Sequence, residues 1–265
     1  MIEEDHVVFF SGGMSSFFTA LRVKEKHGNE RLKLLFTDTL IEGPDLYRFL
    51  KEGAAHLGGE LVWLKDGRTP WDVFRDVKFL GNSRIDPCSR ILKREPARNW
   101  VHENYPDPSS VILYLGMNWD EEHRAERAKK HWLPYRVETP LTEAPHLDRK
   151  QMMRALDGMC IFPSTAYEDG FPHDNCGGGC VKMGKAGFRH LLRMRPEVYA
   201  EWEKNEEEIR QFLGKDVSIL KDRHGGEPKV LTLKELRTRT PKQGELFDWG
   251  GCGCFSDFDD SEATP

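Results

Sequence analysis

The sequence predicts an α/β protein built on a doubly wound parallel sheet, with a C-terminal, mostly helical elaboration that carries cysteines. Three observations lead there. Short apolar runs alternate with segments of helical periodicity over the first 140 residues. The first such run ends in a Ser/Gly loop, and the pattern changes to long charged helical stretches after about Asp148. Strands separated by helices at this spacing form parallel βαβ units.

Val7-Val8-Phe9-Phe10 is the first strand, and Ser11-Gly12-Gly13-Met14-Ser15-Ser16 follows it and opens a helix marked by Phe17, Phe18, Leu21 and Val23. Glycines let the backbone approach an anion, and the first amides of a helix point outward without intrahelical partners. The helix dipole adds to that attraction, and the serines supply hydroxyl donors. Ser11, Gly12, Gly13, Met14, Ser15 and Ser16 are therefore expected to cradle a phosphate or pyrophosphate. Neither the Walker pattern nor the G-x-G-x-x-G dinucleotide fingerprint is present.

Lys33 to Thr39 reads as a second, buried strand ending in polar residues, and Pro44 to Leu57 as a helix stopped by Gly58-Gly59. Glu60 to Leu64 is a third strand. Trp71 to Phe79 and Ile91 to Tyr105 have helical character. Val111 to Gly116 is a fourth strand, followed by a helix from about Glu121 to Trp132. Ligands of such sheets sit at the carboxyl ends of the strands, so Ser11 to Ser16, Asp38 and Gly116 to Arg124 are expected around one crevice.

Beyond residue 148 the sequence predicts a helix over Arg149 to Leu156, a Gly/Pro/His-rich loop from Phe162 to Gly179, and a helical region from Lys182 to Leu213 interrupted near Pro196. Val217 to Leu220 and Val230 to Leu233 read as a hairpin bridged by Gly225-Gly226. The division expected is a nucleotide-binding domain over 1–147, a helical and cysteine-rich region over 148–258 and a disordered tail over 259–265.

The 265 residues carry a formal net charge of −5, which gives no basic footprint of a dedicated duplex-DNA binder. No apolar run reaches the ~18 residues of a membrane span, and no leader pattern begins the sequence, so a cytoplasmic protein with no membrane contact is expected. Six cysteines in that setting point to metal or redox chemistry more than to a disulfide framework.

Cys176-Gly177-Gly178-Gly179-Cys180 and Cys252-Gly253-Cys254 each bring two thiols together on glycine-rich backbone, and with Cys88 they suggest a soft-metal site. An iron-sulfur cluster is the first choice and structural zinc the alternative. Two ligand sets are open: Cys88, Cys176 and Cys180 with Cys252 or Cys254 completing the set, or a closed site of Cys176, Cys180, Cys252 and Cys254. Cys160, between Met159 and Ile161, reads as a buried core thiol. His173 reads as a loop hydrogen-bonding residue, with a ligand or general acid as the alternative. Lys182 and Lys185 read either as phosphate contacts or as a solvated helix face.

Together these features resemble the PP-loop ATP pyrophosphatase (adenine nucleotide alpha hydrolase-like) superfamily, and within it the phosphoadenylyl-sulfate reductase-like branch. Ser11 to Ser16 is similar to the SGGxDS loop, with Ser15 standing where that loop usually carries Asp. Phe36-Thr37-Asp38-Thr39 is similar to the second-strand "DT". Asp86-Pro87-Cys88-Ser89-Arg90-Ile91-Leu92-Lys93 with Pro96 resembles the Cys-containing segment before K-x-x-P. Gly116 to Arg124 resembles the G-x-R/W-x-x-E-x-x-R segment. The likeness spans roughly residues 6 to 185.

The resemblance implies a HUP/PP-loop-type fold and a bound ATP or related adenine nucleotide with Mg2+, contacted by the loop, Asp38, Gly116 and Lys93. It assigns catalytic roles to Asp38 near the metal, Arg124 on an anion and Cys88. The implied chemistry is adenylation of a small-molecule or nucleic-acid sulfur acceptor with loss of pyrophosphate, then sulfur transfer. The alternatives are a phosphoadenylyl-sulfate or adenylyl-sulfate reductase using a thiol electron donor, and a non-catalytic nucleotide-binding protein with structural zinc. A homodimer is compatible with each.

Overall fold

A computed structural model describes residues 4–223 and 226–251. Cys252, Cys254, Gly225 and the tail 259–265 lie outside the described residues. Five parallel strands form the central sheet in the order β3-β2-β1-β4-β5: β1 Asp5–Phe9, β2 Leu32–Asp38, β3 Glu60–Lys65, β4 Val111–Tyr114 and β5 Arg136–Glu138. Val8 pairs in register with Leu34 of β2 on one side and with Tyr114 of β4 on the other. β2 is apolar along most of its length because both faces are covered, as parallel strands require.

One face is covered by α1 (Met14–His27) and α2 (Pro44–Leu57), where Phe10, Phe17, Phe49 and Leu50 are fully buried. α7 (Arg149–Gly158) contributes Met152 and Leu156 to this same apolar cluster, so the first helix beyond residue 148 packs on the core of the N-terminal sheet. The opposite face carries α5 (Glu95–Asn104) and α6 (Glu122–His131) through Ala97, Val101, Ala125 and Ala128. Burying about 25 cal/mol per Å2 of such surface is the main force holding helices to sheet.

The chain before α5 is irregular. A short α4 (Pro87–Ser89) runs into a π-helical turn, Arg90–Arg94, and then into α5. α3 (Pro70–Asp76) is started by a Thr69/Asp72 capping box.

The C-terminal half has its own apolar cluster. α8 (Lys185–Met194) and α9 (Pro196–Leu213) break at Pro196 as expected, and Phe188, Leu191, Tyr199 and Trp202 pack with Trp71 and Phe74 of α3. β6 (Leu220–Asp222) and β7 (Lys229–Leu231) form the expected antiparallel hairpin, but it lies closer to its turn than the sequence suggests: of Val217 to Leu220 only Leu220 is in β6, and Leu233 opens the next helix. α10 (Leu233–Thr238) and β5 were not anticipated; both are too short to show a periodic pattern.

The chain then returns across α8. Gly184 and Ala186 donate their N–H groups to the Trp249 and Asp248 carbonyls at 2.9 and 2.8 Å, and Gly251 donates to Lys182 at 3.3 Å. Glu245, buried, pairs with Arg239, Arg189 and Lys185 and fastens this strap. Among the described residues no helix is long and apolar enough to cross a membrane.

Candidate active site

The strand order reverses between β1 and β4, which places the two following turns side by side at the carboxyl ends of the strands. An open cleft of about 340 Å3 lies there, lined by Ser11, Gly12, Gly13, Ser15 and Ser16 from the first turn and Gly116, Asn118, Glu121 and Arg124 from the second. Lys93, Tyr167, His173, Asp174 and Asn175 complete its wall.

The start of α1 has the features of an anion cradle. Gly13 is its N-cap, and no side chain caps it. The Tyr167 hydroxyl accepts from Met14 N–H at 3.3 Å, and Ser16 Oγ donates to the Gly13 carbonyl at 2.8 Å. Ser15 Oγ donates to Asn118 Oδ1 at 3.3 Å and so ties the two turns together. Gly116 makes that approach possible: a Cβ there would stand 2.9 Å from the Ser16 backbone N and Cα. Arg124 is held beside Glu121, which also helps cap its own turn through Asn118.

Asp38 does not line the cleft. It is buried, and its carboxylate accepts from Leu40 N–H at 2.8 Å, Tyr47 Oη at 2.6 Å and Trp63 Nε1 at 3.1 Å. The carboxylates on the cleft wall are Asp120, Glu121 and Asp174. Asp174 is buried, accepts from Ser164 Oγ and lies 3.7 Å from Arg195. Burial pushes its carboxyl above the usual carboxylate range, against the pull of Ser164 and Arg195. Sequence reasoning missed Asp174 and singled out its neighbour His173, which stands at the cleft wall with its pKa lowered by desolvation and by Arg124 and Arg149.

Behind the cleft is a second, narrow cavity of about 20 Å3, lined by Cys88, Cys176 and Cys180 with Thr39, Asp86, Lys93 and Lys182. Three cysteines drawn from two segments nearly ninety residues apart thus share one cavity. The π-helical turn brings Cys88 and Lys93 to the same wall. Five residues of α-helix rotate about 140°, whereas i→i+5 bonding returns the fifth residue towards the first. Cys180 Sγ accepts from Lys182 N–H at 3.4 Å. The glycine loop between Cys176 and Cys180 packs tightly, since a Cβ on Gly179 would lie 2.4 Å from the Trp202 ring.

Lys182 and Lys185 are both buried, so neither lies on a solvated face. Lys182 Nζ is 3.7 Å from Asp86, and Lys185 Nζ is 3.9 Å from both Glu245 and Asp248. Cys160 is exposed and sits in a left-handed conformation just past α7, which corrects its reading as a core thiol. Its apolar neighbours belong to the turn that ends the helix.

Glu42 is a further residue that sequence reasoning missed. Its buried carboxylate accepts from Thr39 Oγ1 at 3.0 Å, Lys93 Nζ at 3.2 Å and the Cys176 N–H at 2.5 Å. No local pattern marks a lone Glu in a strand-to-helix turn as buried.

Among the described residues no three His, Cys, Asp or Glu side chains converge on a metal-ion position. The donor set of the narrow cavity, three thiols, suits a soft metal in kind. Its width has room for about one water, so a multi-atom group would require the thiols to rotate or the 176–180 loop to move outward.

No family model matches the chain. It is 26% identical over 207 residues to an uncharacterized protein of Methanocaldococcus jannaschii, an alignment covering 76% of this chain and 41% of that protein. The chain thus spans less than half the length of that relative. Among solved structures it is similar to a phosphoadenylyl-sulfate reductase of Candida auris in a phosphate complex, at 14% identity and a TM-score of 0.44, covering 66% of this chain and 81% of that one. A U34-tRNA thiolase of Methanococcus maripaludis with its 4Fe-4S cluster matches at 14% identity and 0.45, covering 80% and 71%. An NH3-dependent NAD synthetase of Campylobacter jejuni matches at 16% and 0.41, covering 81% and 88%. By its own sheet and loop the chain is an α/β protein with five parallel strands and a Ser/Gly turn that opens a helix after the first, and it is similar to a reductase, a thiolase and a synthetase.

Proposed function

We propose that the protein is an adenine-nucleotide-dependent PP-loop enzyme of sulfur chemistry, an iron-sulfur sulfurtransferase that adenylates its acceptor and releases pyrophosphate. One observation carries the reading: the cleft at the cradle and the three-cysteine cavity are neighbours that share Lys93 and Asn175 as walls. A nucleotide held by its phosphates in the cleft would present its α-phosphorus near the cysteines.

In this scheme the α1 amides and Ser11, Ser15 and Ser16 bind the β- and γ-phosphates, while Lys93 and Arg124 offset their charge. An acceptor oxygen attacks the α-phosphorus and pyrophosphate leaves; a sulfur nucleophile then displaces AMP from the adenylated carbon. Magnesium, expected at Asp38, would find its nearer carboxylates in Asp120, Glu121 and Asp174, which line the cleft. When bound at Cys88, Cys176 and Cys180, an iron-sulfur group would supply a site to carry the sulfur. A second reading, structural zinc, is favoured by the narrowness of the cavity.

Anaerobic purification with iron, sulfide and zinc analysis, paired with a pyrophosphate-release assay on ATP and candidate acceptors, tests the proposal. About four irons and four sulfides, lost in Cys176→Ala, with acceptor-dependent pyrophosphate release, is the expected result. Sulfite release from a sulfonucleotide with a thiol donor would establish the reductase instead. One zinc and no pyrophosphate release with any acceptor would overturn both catalytic readings.

A further inference from the structure

We propose that Glu42 is a positioning residue that couples occupancy of the cleft to the state of Cys176. The inference rests on reading the cleft as a polyphosphate site. Glu42 belongs to the turn between β2 and α2, and its side chain is 1% exposed, against 10% for Lys93. One carboxylate oxygen takes the Lys93 ammonium at 3.2 Å and the Thr39 hydroxyl at 3.0 Å, and the other takes the Cys176 N–H at 2.5 Å. The cysteine loop also rests on the same turn: a Cβ on Gly177 would lie 3.1 Å from the Ile41 carbonyl.

Lys93 lines both cavities, whereas Cys176 lines only the inner one and is not part of the cleft wall. A polyanion in the cleft competes with Glu42 for the Lys93 ammonium. As the ammonium is drawn towards the phosphates, the Glu42 carboxylate is left buried with fewer partners for its charge. Its remaining donors, the Thr39 hydroxyl and the Cys176 N–H, must then carry that charge, and charge-assisted hydrogen bonds are the stronger kind. The Cys176 segment is thereby held more tightly when the cleft is filled. Linkage makes the effect reciprocal, so any group that fixes the Cys176 segment raises the affinity of the cleft for the polyanion.

The test labels the backbone amides of the full-length protein, as purified, with deuterium and follows the peptides that hold Cys176 and Cys160 by mass, so that the Cys176 N–H donated to Glu42 is read directly. Exposed Cys160, which lines neither cavity, is the internal reference. Inorganic pyrophosphate is the probe, and its binding is measured separately by calorimetry. In the wild type, pyrophosphate is expected to slow Cys176 labelling relative to Cys160 by at least about fivefold, the lower end of ordinary site-to-site coupling. Glu42→Gln removes the charge, and Glu42→Asp keeps it while shortening the reach so that one carboxylate no longer spans Lys93 and Cys176. Both variants are expected to bind pyrophosphate without slowing Cys176. The same slowing in Glu42→Asp or Glu42→Gln as in the wild type overturns the proposal, as does pyrophosphate binding to the wild type with no change at Cys176. Failure of the wild type to bind pyrophosphate overturns instead the polyphosphate reading of the cleft on which the proposal stands.

Discussion

The anion cradle and the cysteine cavity are adjacent, yet they are assembled differently. The cradle comes from one strand, the turn after it and the first turn of a helix, with Gly116 of the neighbouring strand end laid against it. Its partners are backbone amides, hydroxyls and apolar packing. The cysteine cavity is gathered from residues 86–93 and 175–182 and rests on buried charge: Glu42 with Lys93, and Asp86 with Lys182. The strap that crosses α8 next to it continues the same theme through Glu245. A contiguous motif folds with its own strand and helix, whereas a site built on paired charges depends on every partner being present.

Removing Glu245 should therefore cost more than damaging the cradle. Glu245→Ala takes the carboxylate from Arg189 and one of two carboxylates from each of Lys185, which keeps Asp248, and Arg239, which keeps Asp222, and denaturant unfolding is expected to show a loss of about 3 kcal/mol. A loss under 1 kcal/mol would place these cations in water and remove the contrast.

Gly116→Ala tests the cradle. Its methyl group would press on the Ser16 backbone, which has no flexible end to yield, so calorimetry should show pyrophosphate binding weakened about tenfold or more at a smaller cost in stability. Unchanged binding would mean the two turns need not touch.

The two halves should also answer pH in opposite senses. In the C-terminal half Glu206, buried and accepting from Ile219 and Leu233 N–H, has its carboxyl pushed up to about 7 by desolvation. Its folded-state value lies above its unfolded one, so its contribution is complete at acid pH and declines as pH rises through about 7. Glu206→Gln should flatten that decline in thermal unfolding. On the sheet, His6 is buried, stacked 4.0 Å from His27 and hydrogen-bonded to Tyr114 Oη at 2.9 Å. Desolvation and then His27 hold its pKa below the ordinary histidine value, so its contribution is present at neutral pH and is lost as pH falls below about 6.5. His6→Phe should remove that acid-side loss.

The smallest effect is expected from Cys160→Ser. The exposed thiol lies past the end of α7, and stability should change by under about 0.5 kcal/mol with cleft binding unaltered.

Much of the sheet was legible because apolar strands and periodic helices are local signals, and the loop at 11–16 was legible because its glycines and serines are consecutive. The grouping of Cys88 with Cys176 and Cys180 was legible only as one of two open thiol sets, because spacing along the chain does not say which thiols meet. Glu42, Asp174 and the burial of Lys182 and Lys185 were not legible: a charge becomes buried through the partner that meets it, and the partners lie far away in sequence. Asp38 shows the reverse case, since its place in the motif suggested a cleft residue while its three donors fix the turn after β2. Cys160 misled because hydrophobic neighbours in a helix-ending turn do not imply a buried position.

The π-helical turn at Arg90–Arg94 has a consequence for how this chain tolerates changes in length. A residue five places on in a π-turn occupies nearly the angular position that a residue four places on has in an α-helix. A chain one residue shorter between Cys88 and Lys93 would relax to plain α-helix and still present both side chains to the cysteine cavity. The same deletion after Arg94 would swing Ala97 and Val101 off the sheet. This turn is thus a place on the cavity wall where the chain can lose a residue without losing the alignment of the thiol with the ammonium.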